Sequence, residues 1–271
     1  MSAREFFVEL RRRNRVLSSL GWLHLAALAV VAFVAPFDTR TVTGLNPWIK
    51  PAKFLVSITV YVWTLAWLLD YLSSYRRAVR VITWGTVVVF VGEMTCIITQ
   101  AARGEVSHYN VKTPFDAAVF STMGLLILVN TLLVLLTLAL FARPTARLAP
   151  AYLWGIRLGL LLFFLGSLEG TVMISHMAHT VGLPDGGPGL PFVNWSTRAG
   201  DLRVAHFLAF HALQLLPLAG HFLSTRWAAV ARRRQVTYIF CLALAYTLFT
   251  ALLFWQALRG QPLVGLFRLH V

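Results

Sequence analysis

Two carboxylates lie where a carboxylate is costly. Glu93 and Glu169 each sit inside a long apolar run, and each is followed seven residues later by a second polar group, Gln100 and His176 respectively. Two helical turns bring such pairs to nearly the same direction. An ionised carboxylate deep in lipid needs a proton, a cation or a metal beside it, and such residues usually face a cavity or a polar partner. Glu93 and Glu169 are therefore the candidate acid–base groups.

Histidines share the same kind of segment. In the run that begins with Arg203, the residues His206, His211, Gln214 and His221 fall within an arc of roughly 140° on a helix. Imidazole together with carboxylate suits zinc, copper or non-haem iron, which makes His176, His206 and His211 a candidate metal set. Imidazole pairs on facing helices also suit haem b with histidine axial ligands. His206 and His221 are separated by about 22 Å along a helix axis, so one ligand would lie near each membrane face. His24 is the candidate partner of His221, and His176 that of His206 or His211; two haems so held would carry electrons across the membrane. Gly21, Gly166 and Gly170 would either admit a porphyrin ring or permit close helix packing. Haem and a non-haem metal both stay open. The chain contains no HExxH, paired HxxxH or GxSxG motif to decide between them.

Other polar groups complete the constellation. Lys53, Ser57, Tyr61 and Thr64 form one stripe at helical spacing, and Asp116 and Asn130 share a face in a later run. Asn194 and Trp195, in a long Gly- and Pro-rich loop, precede Arg203. Together with Lys53 they are the candidate contacts for a small molecule, such as a quinone or an anionic solute. Each has a plainer reading: a histidine bonded to a neighbouring carbonyl, an aspartate capping a helix, a lysine snorkelling, or a tryptophan at the membrane interface.

These residues need a scaffold, and composition says which. Of 271 residues, 58% are hydrophobic and 13% charged, about half the charge of an ordinary soluble domain. Seven apolar runs reach the length needed to cross a bilayer in helix: 16–37, 51–72, 79–101, 115–141, 155–177, 203–224 and 236–258. The fold class is all-α, a polytopic membrane bundle of about seven transmembrane helices forming one domain over 1–271. The first run is too long for a signal-peptide core and lacks a persuasive cleavage site, so it reads as a retained helix. Cys96 and Cys241 both lie in apolar runs and offer no disulfide or CxxC spacing.

Charge sets the orientation. The formal net charge is +14, with arginines clustered between the apolar runs, as in Arg11-Arg12-Arg13, Arg76-Arg77 and Arg232-Arg233-Arg234. That placement fits topology control and not nucleic-acid binding. Alternate loops hold fourteen basic residues on one side, Arg147 among them, and nine on the other, Arg268 among them. The richer side reads as cytoplasmic, so the N-terminus is cytoplasmic and the C-terminus outside. A bacterial cytoplasmic membrane is the expected location, and the polar constellation then gathers in the extracytoplasmic half. The first functional expectation is a membrane oxidoreductase or metalloprotein. The alternatives are a proton-coupled transporter or channel using the same groups, and a sensor or assembly factor. The lack of an internal repeat counts against a transporter.

Overall fold

The computed structural model describes residues 2–143 and 148–263. Arg147 and Arg268, used in the charge count, lie outside the described residues. Eight helices follow in order: α1 (Ala3–Arg13), α2 (Arg15–Val34), α3 (Ile49–Leu69), α4 (Arg76–Arg103), α5 (Pro114–Ala142), α6 (Pro150–His176), α7 (Leu202–Arg226) and α8 (Arg232–Leu258). Among the described residues, six helical runs are long and apolar enough to cross a membrane. One of them, Ile49–Arg103, is two helices. α3 and α4 are joined by a turn over Asp70–Tyr75, where Leu72 leaves helical geometry (φ −103°, ψ 20°). Six runs, or seven helices with that one divided, make the architecture of an integral membrane protein. Large apolar side chains such as Phe33, Leu125 and Leu248 point outward from it.

Helix ends differ from expectation chiefly on the basic side. α6 begins at Pro150 and α8 at Arg232, five and four residues before the apolar runs start. Arginine is a good helix former, so hydropathy ends before the helix does. α1 lies wholly within a segment expected to be a basic loop. Ser2 and Glu5 close a reciprocal capping box at its start. Its apolar side is then pinned by rings: Phe6 stacks on Trp67 at 5.6 Å, and Phe7 meets Trp22 at 5.0 Å and Trp63 at 5.2 Å. Arg12 and Arg13 bond Glu9 and draw its carboxyl down to about 2.

The chain forms two compact units, Met1–Leu133 and Val134–Val271. In the first, α3 and α4 fold back on each other, Tyr61 meeting Phe90 at 5.2 Å. Leucines of α5 fill notches left by α4 glycines: a Cβ on Gly85 or Gly92 would lie 2.8 or 2.9 Å from Leu133 or Leu126. Gly21 of α2 does the same for the Trp63 indole, whose Nε1 would lie 2.0 Å from an added Cβ. That glycine admits a side chain of its own unit.

In the second unit, α6 and α7 touch backbone to backbone. Cβ atoms built on Gly155, Gly159 and Gly220 would fall 2.4 Å from the Leu216 carbonyl oxygen, 2.8 Å from that of Ala212 and 2.4 Å from that of Ala151. Glycines four apart on α6, with Ala212 and Gly220 on α7, permit this approach, and in a membrane such packing replaces the hydrophobic drive that water would supply. α8 packs on the pair through Ile239, Ala243 and Leu253. A short ladder, β1 (Thr180–Val181) with β2 (Gly200–Asp201), closes the long loop between α6 and α7.

Gly155→Leu is expected to lower the unfolding free energy in detergent by about 1–3 kcal/mol, because the added side chain must displace backbone. Gly124→Leu, where an added Cβ meets nothing within 4 Å, should leave it nearly unchanged. Equal melting points for the two variants would refute the close α6–α7 contact.

Candidate functional site

Most small hydroxyls on these helices bond their own backbone one turn back. Thr59, Thr64, Thr95, Thr131, Ser167, Thr247 and Thr250 all donate to the carbonyl four residues earlier, at 2.7–3.0 Å. Such groups are satisfied locally and leave little capacity for a ligand. Candidate chemistry therefore rests with the buried polar atoms that lack such partners. Among the described residues these are His24 Nε2, Thr86 Oγ1, Glu93 Oε2, Glu169 Oε2 and Gln256 Oε1.

Three of the five belong to the first unit. Thr86, Glu93 and Gln100 stand seven residues apart on α4, all at most 1% exposed, in one stripe along the buried face. The Thr86 and Glu93 oxygens meet no donor. Gln100 does: its Nε2 donates to Asp116 Oδ1 at 2.8 Å, and Arg103 donates both to Gln100 and, at 2.5 Å, to the same Asp116 oxygen. Thr113 closes this cap by donating to Asp116 Oδ2 at 2.6 Å. Lys50, at the start of α3, places its Nζ 3.1 Å from His108 Nδ1. His24 of α2 is buried with Nδ1 2.8 Å from the Leu20 carbonyl. Tyr61 donates to Asn130 at 3.1 Å, tying the α3 stripe to α5. At the same end as the Gln100 cap, Arg40 donates to the Ala102 carbonyl and grips Asp38, holding that carboxyl below the ordinary range.

In the second unit, Glu169 is half-buried on α6. The His206 ring of α7 lies across the adjacent turn, its Nδ1 2.8 Å from the Gly166 carbonyl and its Cε1 3.7 Å from where a Gly170 Cβ would stand. Gly166 itself abuts Ala209, and Gly170 leaves room for the imidazole. His211 turns its Nδ1 to the Phe207 carbonyl at 2.7 Å. His176 and His221 are exposed, the latter against the Tyr152 ring at 5.4 Å. Among the described residues no three of His, Cys, Asp and Glu group closely enough to hold a metal ion. The set His176, His206 and His211 is thus not assembled.

The long loop is held by two aspartates. Asp201 accepts from the Ser196 amide at 2.7 Å and caps α7 through the Arg203 amide, while the Arg203 guanidinium bonds Asp201 and the Asn194 carbonyl. Asn194 takes a left-handed backbone (φ 56°), which asparagine tolerates. Trp195 packs on Phe207 at 5.5 Å. Three of the four residues read as substrate contacts, Asn194, Trp195 and Arg203, therefore hold the loop; Lys53 lies half-buried on α3.

Asp185 organises the other end of the loop, accepting from the His179 and Thr180 amides, the Thr180 hydroxyl and His179 Nδ1 at 2.5 Å. Burial alone would raise the Asp185 carboxyl; the bonds from His179 and Thr180 outweigh it and hold it well below the ordinary range. Sequence reasoning missed both this pair and the Lys50–His108 contact. The glycine at 182 (φ 95°), which lets residue 185 turn back on 179, was the available signal.

No family model, curated protein or solved structure matches this chain.

A carboxyl held low in the folded state adds stability that is full above its unfolded value, near 3.9, and is lost as pH falls through the lower folded value. Amide protection over 179–185 is thus expected to persist at pH 5 and to fall only below about pH 4. Asp185→Asn should weaken that protection at pH 7 and flatten its acid dependence. An unchanged profile would show that Asp185 does not hold the loop.

Proposed function

We propose that the chain is a polytopic membrane protein with seven crossings and a cytoplasmic N-terminus, and that it moves protons through buried carboxylates as a proton-coupled transporter or channel. One observation carries this reading: Glu93, 1% exposed, keeps an oxygen that meets no donor, on the same α4 face as the unpartnered Thr86 hydroxyl. A purely structural polar residue in hydrocarbon is satisfied by its neighbours, as Gln100 is. A carboxyl left open there can take up and release a proton or a cation. Glu169, with its own open oxygen on α6, is the corresponding group of the second unit.

A second reading has its own support. His24, His206 and His211 each place Nδ1 on a backbone carbonyl, the arrangement that orients a ligating imidazole with Nε2 outward. In His24 that Nε2 is buried, makes no close hydrogen bond, and approaches the Phe90 backbone of α4. This favours a redox protein binding haem b through histidine, with a quinone or other small molecule as substrate. A Soret band in gently purified protein would select this reading over the first.

The proton reading is tested with the full chain in liposomes holding a pH dye, under an imposed potential. Proton flux is expected from the native protein. Glu93→Gln should abolish it while keeping or raising thermal stability, since a neutral amide is cheaper to bury than a carboxylate. Native protein without flux, or unaltered flux in the variant, would sink the proposal.

A further inference from the structure

The turn between α3 and α4 opens a groove of about 370 Å³, lined by Ser73, Arg76, Val79, Arg80, Thr83 and Trp84. Four arginines elsewhere in this unit meet acids, Arg12 and Arg13 meeting Glu9 and Asp70, Arg40 meeting Asp38 and Arg103 meeting Asp116, whereas Arg4, Arg11, Arg15 and Arg77 make no such pair among the described residues. Arg76 and Arg80 line the groove, are exposed, and pair with no acid among the described residues. Thr83 is buried at its floor, where its hydroxyl accepts from Asn14 Nδ2 at 2.9 Å and keeps its own hydrogen to donate. The first turn of α4, which receives no side-chain capping bond from Tyr75, lies at the same end.

The exposed surface continues in one direction. Arg76, Arg80, Trp84 and Val88 follow at intervals of four, so they form a row down one side of α4. All four are exposed, and the row passes from charge through an indole to an aliphatic side chain. A bilayer changes in that order, from phosphate through the interface to the acyl region. A soluble anion would use the arginines and leave the lower half of the row without purpose.

We propose that this groove binds an anionic phospholipid, the phosphate between Arg76 and Arg80 and one acyl chain along Trp84 and Val88. In the orientation proposed above, the lipid belongs to the cytoplasmic leaflet, whose anionic lipids attract such clusters. The site is independent of the proton reading and shares no residue with it.

The full chain in nanodiscs of phosphatidylcholine, titrated with phosphatidylglycerol, reads this site by lipid retention in native mass spectrometry and by melting temperature. The native protein should retain phosphatidylglycerol and melt higher. Arg76→Gln with Arg80→Gln should weaken retention about thirtyfold. That double variant should melt as the native protein does in pure phosphatidylcholine. Trp84→Ala should weaken retention with both arginines in place. Arg77→Gln, one residue outside the groove, should retain the lipid. An equal loss with Arg77→Gln would show diffuse surface charge and overturn the site. Stabilisation by inorganic phosphate alone, matching that by the lipid, would overturn the lipid as occupant.

Discussion

Hydrocarbon accepts and donates no hydrogen bonds, so each polar group that this chain buries must find its partner within the chain or remain open. That constraint orders the structure at every scale. Backbone groups are consumed in helices. Threonine and serine hydroxyls are consumed by the carbonyl one turn back, as in Thr59, Thr131 and Thr247. The larger polar groups are consumed in clusters at the helix ends, where Gln100, Arg103, Thr113 and Asp116 satisfy one another. What survives is a short set of open atoms, and Glu93 is the most enclosed carboxylate in it.

The same solvent explains how the helices meet. Burying leucine against leucine gains little over leucine against lipid, so contact must come from shape. Two solutions appear. α6 and α7 strip their interface to Gly155, Gly159, Ala212 and Gly220, and their backbones touch. α4 and α5 keep their leucines and cut notches for them at Gly85 and Gly92. The first holds two helices at short range over several turns. The second fixes the α5 register against α4, and with it the height at which Asn130 meets Tyr61.

The helices were legible because apolar length is a strong signal, and their basic ends were not, because arginine extends a helix past its hydropathy. α1 carried a readable capping box in Ser2 and Glu5 but too few apolar residues to stand out among six basic and acidic ones. Glu93 and Glu169 were legible as costly residues, and the structure leaves an oxygen open on each. Their surroundings were not legible. Whether a polar residue is spent depends on contacts far apart in sequence, such as Tyr61 with Asn130 or Lys50 with His108. Residue type at helical spacing carries no such information. The histidines make the point sharply: three of them share the same Nδ1-to-carbonyl bond, and only in His24 is the Nε2 enclosed without a close hydrogen bond.

The difference between spent and open groups also separates the two ends of the Glu93 stripe. Toward Gln100 the polar atoms are cross-linked, with Arg103 and Gln100 both committed to Asp116. Toward Thr86 nothing bonds the stripe, although Thr83 lies a turn beyond and reaches Asn14 near the opposite end of α4. A proton resting on Glu93 therefore has a fixed, charged network on one side and unspent hydroxyl capacity on the other. Movement in either direction would need a donor or acceptor to bridge two helical turns, about 10 Å. Side-chain motion alone does not span that distance, so the proton path proposed above would require water beside Thr86.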